Sequence, residues 1–259
     1  MKTPVKSSVN FVSGPALKNI LSKDDKIASL LLSSGQLECE LAFDDYDITM
    51  LSNRWAKYEF WDCIIKNPYK VADMSDELHE RIYPQMIYLL QDQWVKMKDP
   101  YFRSAIYFLL NRYSLDGTVS HGKFNIHNYS AICSRSLINF YENNEVSKLK
   151  INYYKAEKYY EAVPHIPAEH ILLLPVGNIK TGPLHQQTEI GHDVYDINYG
   201  ILSDIIKSAD TKLVAVFKKN AKILRDFKNF NITMVDSTGL PTNKINDCDE
   251  IIIHNLVHQ

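Results

Sequence analysis

The chain has 259 residues, of which 45% are hydrophobic, and a formal net charge of -2. This length and composition allow a sizeable core, built as one α/β domain with an insertion or as two small domains. The near-zero charge excludes a global basic field that would draw the protein onto nucleic acid or an anionic membrane, so any DNA contact has to come from a local patch. No apolar run approaches the ~20 residues needed to cross a bilayer, and residues 1–10 lack an apolar signal-peptide segment. We therefore expect a cytoplasmic protein.

The cysteines and histidines predict no metal centre. The four cysteines are Cys39, Cys63, Cys133 and Cys248, and no short interval separates any two of them. Such scattered cysteines favour reduced thiols over a disulfide framework or a zinc site. The nine histidines do not form the HExxH pattern of a helical zinc site.

The first 48 residues predict a helix and two buried strands. Residues 10–21 read as a Ser-Gly-Pro turn followed by an amphipathic helix. Residues 27–32 and residues 37–43 are apolar runs of strand length, and the second run ends at Asp44-Asp45. Two strands of this kind are typical of the first half of a parallel sheet.

The middle of the chain predicts helices, then a hairpin. Residues 49–110 follow a helical pattern with breaks at Asn67-Pro68 and Asp99-Pro100. Residues 111–129 contain Gly117 between short β-type segments and predict an irregular hairpin.

The α/β pattern returns after a proline-bracketed linker at residues 164–167. We predict strands at residues 171–174, 212–217, 232–235 and 250–256, with helices at residues 199–208 and 221–227. The predicted organisation is an α/β domain formed by residues 1–48 and 165–259, with a helical and hairpin insertion at residues 49–164.

Three sets of residues resemble the Dam-like adenine-N6 DNA methyltransferases. The run FLLNRYSLDG at residues 108–117, followed by HGKFN at residues 121–125, is similar to the LNR-x-x-x-x-G … G-x-F-N segment of that family. The acidic run DDYD at residues 44–47 with YEFWDCIIKNP at residues 58–68 resembles the family's second strand end and the helix after it. The C-terminal half follows the family's order, with an apolar strand, a polar loop containing His192-Asp193, and a helix.

The resemblance implies a Rossmann-like methyltransferase sheet that binds S-adenosylmethionine, with an insertion that recognises double-stranded DNA. In that family the target adenine is flipped out of the duplex, because its amine cannot be reached while the base is stacked. An Asp-Pro-Pro-Tyr motif then accepts hydrogen bonds from the amine and stacks on the ring. In this chain Leu174, Pro175, Val176 and Gly177 stand at the position of that motif.

This replacement predicts a loss of methyl transfer to adenine. Leu174 has no side-chain acceptor and Gly177 has no ring, and removal of one acceptor or donor of this type typically costs about 2.7–4 kcal/mol in the transition state. The nearest spare acceptors are Asn178 and Asp193. Asp99-Pro100-Tyr101 and Asn67-Pro68-Tyr69 resemble shortened forms of the motif, but neither follows an apolar strand, so we interpret both as helix boundaries.

The candidate cofactor residues are few. The family's Phe-x-Gly-x-Gly turn corresponds either to Phe11-Val12-Ser13-Gly14 or to Leu32-Ser33-Ser34-Gly35, each with a single glycine. Phe11, Gly14 and Gly35 are therefore the candidates in the turn. Asp45 is the candidate for a ribose hydroxyl, and the alternative is a solvated carboxylate at a strand end.

A local basic patch is the candidate DNA surface. Residues 95–160 contain ten basic and five acidic side chains with tyrosines among them, a mixture that suits phosphate contact and base stacking. The alternative is a solvated face in which tyrosines pack under lysine stems. By resemblance, the candidates nearest the duplex are Arg112, Lys123, Asn125, Asn128 and Arg135.

Three hypotheses follow. The leading one is a catalytically degenerate Dam-like homologue, or pseudoenzyme, that acts as a DNA-binding or interaction module, with a viral origin and a place in the host cytoplasm or virion as an expectation. The second is an active S-adenosylmethionine-dependent adenine-N6 methyltransferase with a displaced acceptor. The third is a structural subunit, a homo-oligomer or a partner of another protein, that does not bind DNA.

Overall fold

The computed structural model describes residues 2–120, 123–179, 193, 195 and 197–256. His121, Gly122 and His192 of the sequence motifs lie outside the described residues. Within the described part, seven strands form one sheet: β1 (Lys26–Ser29), β2 (Asp47–Ser52), β3 (Lys150–Tyr153), β4 (His170–Gly177), β5 (Leu213–Lys218), β6 (Asn231–Asp236) and β7 (Cys248–His254).

The strand order is β3-β2-β1-β4-β5-β7-β6. Neighbouring strands from β3 to β5 are parallel, whereas β7 runs antiparallel to both β5 and β6. This is a mostly parallel α/β sheet flanked by helices, so the predicted fold class is confirmed. The order reverses between β1 and β4, and a crevice at the carboxyl ends of these strands is where open α/β sheets place their ligands.

Nine α-helices lie in the described part: α1 (Gly14–Ile20), α2 (Gln36–Phe43), α3 (Trp55–Lys66), α4 (Pro68–Arg81), α5 (Met86–Gln93), α6 (Pro100–Tyr113), α7 (Ala131–Glu142), α8 (Tyr199–Ser208) and α9 (Ala221–Asp226). Helices α3 to α7 lie between β2 and β3 in the sequence. The insertion predicted at residues 49–164 thus contains these helices, and it also contains β3 and most of β2. No helix in the described part is both long enough and apolar enough to cross a bilayer.

Two predicted helix boundaries depend on an Asx-Pro pair. Asn67 accepts a hydrogen bond from the Lys70 amide at 3.1 Å, and Pro68 is the first residue of α4. Asp99 accepts from the Tyr101 amide at 2.7 Å, and Pro100 is the first residue of α6. Each polar side chain satisfies an amide that the first helical turn leaves unpaired, and proline loses nothing at that position. Both shortened motifs are therefore helix caps.

The prediction of a second strand at residues 37–43 was wrong. These residues form α2, and the strand follows at Asp47–Ser52. Leu37, Cys39, Leu41 and Ala42 are all buried, because α2 is covered on more than one side. A short helix buried in this way shows the same continuous apolar run as a buried strand, so the pattern alone could not separate them.

The sheet separates two hydrophobic cores. Along β4, Ile171 and Leu173 face the core shared with α1 to α7, whereas Leu172 and Leu174 face the core shared with α8 and α9. Successive side chains of a strand point to opposite faces, so an unbroken apolar strand indicates a sheet covered on both sides.

Candidate functional site

The residues at the position of the adenine-binding motif belong to β4 itself. Leu174 and Pro175 pair with Ala215 and Val216 of β5, and a bulge follows before Gly177. Leu174 is fully buried in the sheet. The predicted motif position is therefore occupied by strand residues, and only its last residue reaches the carboxyl end.

Two features require glycine at position 177: the backbone conformation there and the contact with Val9. Its φ is +71°, a conformation that glycine adopts readily, and a Cβ there would lie 2.6 Å from Cγ1 of Val9. Val9 belongs to the N-terminal segment (residues 2–13), which crosses the carboxyl ends of the strands. Val9 thus packs against the end of β4, where the resemblance places the catalytic loop.

The N-terminal segment is fixed by a buried carboxylate on β7. Glu250 is fully buried and accepts hydrogen bonds from the amides of Val12 at 3.0 Å and Ser13 at 2.9 Å. Lys218 donates to the same carboxylate at 2.8 Å. Because a buried charge is tolerated when it is paired and hydrogen-bonded, this arrangement stabilises the segment across β5 and β7.

Phe11 and Gly14, two of the candidate cofactor residues, contact other parts of the protein. The Gln36 side chain accepts from the Phe11 amide at 3.1 Å and donates to the Phe11 carbonyl at 2.6 Å. The space that a Gly14 side chain would need is filled by the Glu40 carboxylate. Both residues hold the N-terminal segment and α1 against α2.

Gly35 also serves a contact within the protein. It stands before α2 with φ +71°, and a Cβ there would lie 2.6 Å from the Trp61 ring. The close approach that glycine permits at this turn is used by Trp61 of α3. Gly35, and not Gly14, is thus the glycine of the turn that follows β1.

Asp45 lies at the opposite edge of the sheet. It stands between α2 and β2, at the amino end of β2, and its exposed carboxylate accepts from Lys148 at 2.6 Å. This hydrogen bond lowers the pKa of Asp45. The interpretation of Asp45 as the carboxyl end of the second strand was wrong because α2 had been taken as that strand. Ser52 and Asn53 occupy the carboxyl end of β2.

Two charged side chains fill the space beside the turn after β1. Glu38 of α2 is buried and accepts from the Ser29 hydroxyl at 2.9 Å. The Lys57 amine of α3 donates to the carbonyls of Leu32 at 2.7 Å and Ser33 at 3.3 Å. Burial raises the pKa of Glu38 and lowers that of Lys57 to about 8, because a low-dielectric environment disfavours both charged forms.

Tyr195 lies beside the end of β2. Its hydroxyl lies 2.9 Å from Oγ of Ser52. Its ring centroid is 5.1 Å from Nζ of Lys57 and 5.6 Å from Cζ of Arg54, so two cations flank one ring. Burial raises the pKa of the Tyr195 phenol. Side chains of the protein therefore lie at the carboxyl edge of β1 and β2, where a cofactor ribose would be expected.

Ser114 and Phe124 pair in antiparallel fashion and define the hairpin that follows α6. Asp193, one of the two spare acceptors, is bound to this hairpin. Its carboxylate accepts from the amides of Val119 at 2.7 Å and Ser120 at 3.1 Å, and from the Ser120 hydroxyl at 2.5 Å. Asp193 is only 5% exposed, so these three donors use its carboxylate within the fold. Asn178, the other spare acceptor, is exposed directly after β4.

Arg112 points into the protein. Its guanidinium donates to the Pro4 carbonyl and lies 5.3 Å from the Phe108 ring centroid. The neighbouring Asn111 is buried, accepts from the Lys6 amide at 2.8 Å and donates to the Lys6 carbonyl at 2.9 Å. The LNR-like run thus holds the N-terminal segment, and the prediction that Arg112 is among the residues nearest a duplex is not supported by this geometry.

The other four candidate DNA residues are exposed: Lys123, Asn125, Asn128 and Arg135. They lie on the outgoing arm of the hairpin, in the short 3-10 turn at Ile126–Asn128 and in α7. Asn125 accepts from the His127 amide at 3.0 Å, and Asn128 donates to the Tyr113 carbonyl at 3.1 Å. The structure therefore brings these four residues into one stretch of surface chain, while the two asparagines also stabilise the turn.

Ion pairs reduce the basic surplus of residues 95–160. Arg103 pairs with Glu59, Lys148 with Asp45, and Lys150 with Asp47, and all three carboxylates lie outside that range. Among the described residues, the exposed basic side chains of this range outside such pairs are Lys96, Lys98, Lys123, Arg135 and Lys155. The local field is weaker than the residue count predicts.

The side chains at the carboxyl edge carried little signal in the sequence. Glu38 and Lys57 lie on helices, and their burial depends on how α2 and α3 pack. The alternation in DITMLS at residues 47–52 could have located β2, and with it Ser52. Nothing in the pattern around Tyr195 indicates that its ring lies against Lys57.

A further groove lies away from this edge of the sheet. A groove of about 550 Å³ lies beside β6 and is lined by residues of α9, β6 and the β6–β7 connection, four strand positions from β1. No group of three or more His, Cys, Asp or Glu side chains in the described part is placed to hold a metal ion.

The comparisons with known proteins identify no family. No protein-family model matches the chain, and no curated protein is significantly similar to it. The resemblance to Dam-like methyltransferases therefore depends on the motifs quoted above.

Proposed function

We propose that the chain is a catalytically silent relative of the Dam-like adenine methyltransferases that acts as a binding module. The observation that carries this proposal is the pair of contacts at the carboxyl edge of β1 and β2, where Tyr195 bonds to Ser52 and Lys57 donates to the turn that follows β1. A cofactor would have to displace both side chains. The end of β4 adds to this, because Val9 packs against Gly177 there.

The strand order supports the relationship to methyltransferases. An antiparallel β7 inserted between β5 and β6 is compatible with the Rossmann-like methyltransferase sheet that the motifs imply. Fold alone does not determine activity. The fold therefore supports the ancestry, and the contacts at the carboxyl edge support the loss of catalysis.

Double-stranded DNA is the ligand we propose for the hairpin and α7 surface. Lys123 and Arg135 are exposed cations suited to phosphates, and Asn125 and Asn128 carry amides that could reach base edges. Because few unpaired cations remain in residues 95–160, we expect moderate affinity with a shallow salt dependence.

A protein interface is the second candidate function. Five large apolar side chains around α5 and the hairpin are 39–69% exposed: Tyr83, Met86, Tyr88, Leu89 and Leu115. The Tyr88 ring lies 5.9 Å from the Phe124 ring, which connects α5 to the hairpin arm. An exposed apolar cluster of this kind is typical of an interaction surface.

Two measurements on the intact chain test the proposal. Equilibrium binding of labelled S-adenosylmethionine is expected to be absent up to millimolar concentrations, and a duplex mobility shift is expected to weaken as salt is raised. Cofactor binding with methyl transfer to adenine would overturn the silent assignment and favour Asn178 as a displaced acceptor. Loss of the shift at all salt concentrations, with self-association or capture of a protein partner, would favour the apolar interface.

A further inference from the structure

We propose that Asp193 and Tyr195 form a link that couples the hairpin of the insertion to the carboxyl edge of the sheet. In this arrangement the hairpin holds Asp193, and Asp193 positions Tyr195 over Lys57. Release of the hairpin contacts uncovers Lys57 without unfolding the domain. The inference does not depend on DNA binding or on the methyltransferase relationship.

One end of the link is the contact between Asp193 and the hairpin. Both carboxylate oxygens accept hydrogen bonds, from two consecutive amides and one hydroxyl of Val119 and Ser120. These donors precede Asp193 by 73 and 74 residues in the sequence. Hydrogen bonds to a charged acceptor are stronger than those to a neutral one, and Asp193 is buried, so this contact fixes Asp193 against the hairpin.

The other end is the contact between Tyr195 and the sheet. Its hydroxyl bonds to Ser52 at the end of β2, and its ring lies against the cations of Lys57 and Arg54. Only one residue separates Tyr195 from Asp193 in the sequence, so their Cα atoms can be at most about 7 Å apart. A shift of the hairpin therefore changes the position of the Tyr195 ring.

Lys57 can be used to monitor this link, because its surroundings depend on both Asp193 and Tyr195. Its side chain is 9% exposed, its amine lies 5.1 Å from the Tyr195 ring centroid, and the Asp193 charge acts on it. Burial lowers the pKa of the Lys57 amine to about 8, and the same contacts shield the amine from reagents in solution. Uncovering Lys57 removes that shielding, so the acylation rate of Lys57 reports its exposure.

The first experiment measures acylation of Lys57 by an N-hydroxysuccinimide acetate reagent at pH 8, followed by peptide mass spectrometry. We expect the rate for Lys57 to rise at least fivefold in Ser120→Ala and at least tenfold in Asp193→Asn. The matched controls are Ser208→Ala, which removes a hydroxyl from α8, and Asp236→Asn, which alters a carboxylate that accepts three hydrogen bonds in the β6–β7 turn. Both controls are expected to stay within twofold of the unmodified protein.

The thiol of Cys39 distinguishes local release from unfolding. Cys39 lies on α2 and is fully buried, so its alkylation reports global opening under the same conditions. The proposal requires faster acylation of Lys57 with unchanged alkylation of Cys39. Parallel increases at both residues would overturn it, as would a wild-type Lys57 rate in Ser120→Ala and Asp193→Asn.

The second experiment tests the reverse direction, because energetic coupling between two sites is reciprocal. Hydrogen exchange of the Val119 and Ser120 amides is expected to accelerate at least fivefold in Tyr195→Ala, and by a smaller factor in Ser52→Ala. Tyr195→Phe keeps the ring and is expected to resemble Ser52→Ala. Unchanged exchange in Tyr195→Ala would show that the two contacts are independent and would contradict the proposal.

Discussion

The Glu250 carboxylate holds the backbone amide of Ser13 at 2.9 Å, although 237 residues separate them. It also accepts from Val12 and Lys218. We predict that Glu250→Gln lowers the free energy of unfolding by about 3 kcal/mol, because the change leaves Lys218 with one carboxylate partner and places an amide group among donors. Urea unfolding measures this value.

Asp249→Asn is the control for that substitution. Asp249 is the other carboxylate that pairs with Lys218, at 2.9 Å, but its side chain is 43% exposed. Exposed ion pairs contribute about 0–1 kcal/mol, so we expect a loss below 1 kcal/mol. Equal losses for the two variants would contradict the role assigned to the buried carboxylate.

Gly177→Ala tests the contact between the N-terminal segment and β4. The positive φ and the Val9 side chain both oppose a Cβ at this position, and we expect destabilisation of about 1–3 kcal/mol. Gly200→Ala in the first turn of α8 has ordinary backbone geometry and is expected to change stability by less than 1 kcal/mol. Thermal and urea unfolding of the two variants would show whether Gly177 is constrained as described.

Lys57 predicts a specific pH dependence of stability. Its folded pKa of about 8 lies below the ordinary lysine value of 10.5, so between these values the unfolded chain binds more protons than the folded one. The free energy of unfolding therefore gains a contribution from Lys57 as the pH rises, of about 2 kcal/mol between pH 7 and pH 9.5. The difference between wild type and Lys57→Met should follow this increase. A constant difference across the range would show that Lys57 is not held in a desolvated environment.

Substitutions of Arg112 and Arg135 should distinguish a role in stability from a role in DNA contact. Arg135→Ala and Lys123→Ala are each expected to reduce the salt slope of duplex binding by about one, with little effect on stability. Arg112→Ala should leave the slope unchanged and lower the free energy of unfolding by about 1–2 kcal/mol, because the guanidinium supports the Pro4 carbonyl. A reduced slope for Arg112→Ala at full stability would restore it to the DNA surface.

Much of the fold could be predicted because its signals are local. Helix α8 begins and ends where the periodicity indicated, and Asn67 and Asp99 cap helices at the predicted breaks. The strands of the C-terminal half were recognised because their apolar runs are bounded by polar turns. These features depend on neighbours in the sequence.

The errors came from features that depend on distant residues. The helix α2 was read as a strand because its burial hides the helical period, and this error moved Asp45 to the wrong edge of the sheet. Arg112 was interpreted as exposed because nothing near it in the sequence shows that residues 4 and 6 pack there. Of the strands that form the candidate site, β1 and β4 were predicted, whereas β2 and the side chains at its carboxyl end were not.

The bond between Glu250 and the N-terminal segment also constrains the order of folding. Residues 12 and 13 leave the ribosome long before Glu250 is synthesised, so their amides cannot find their native acceptor until 237 more residues have been added. Contacts of such long sequence separation form late, since the intervening chain has to be ordered first. Lys6 and Phe11, on either side of Val9, can meet Asn111 and Gln36 before that, so the Val12–Ser13 end of the segment is fixed last.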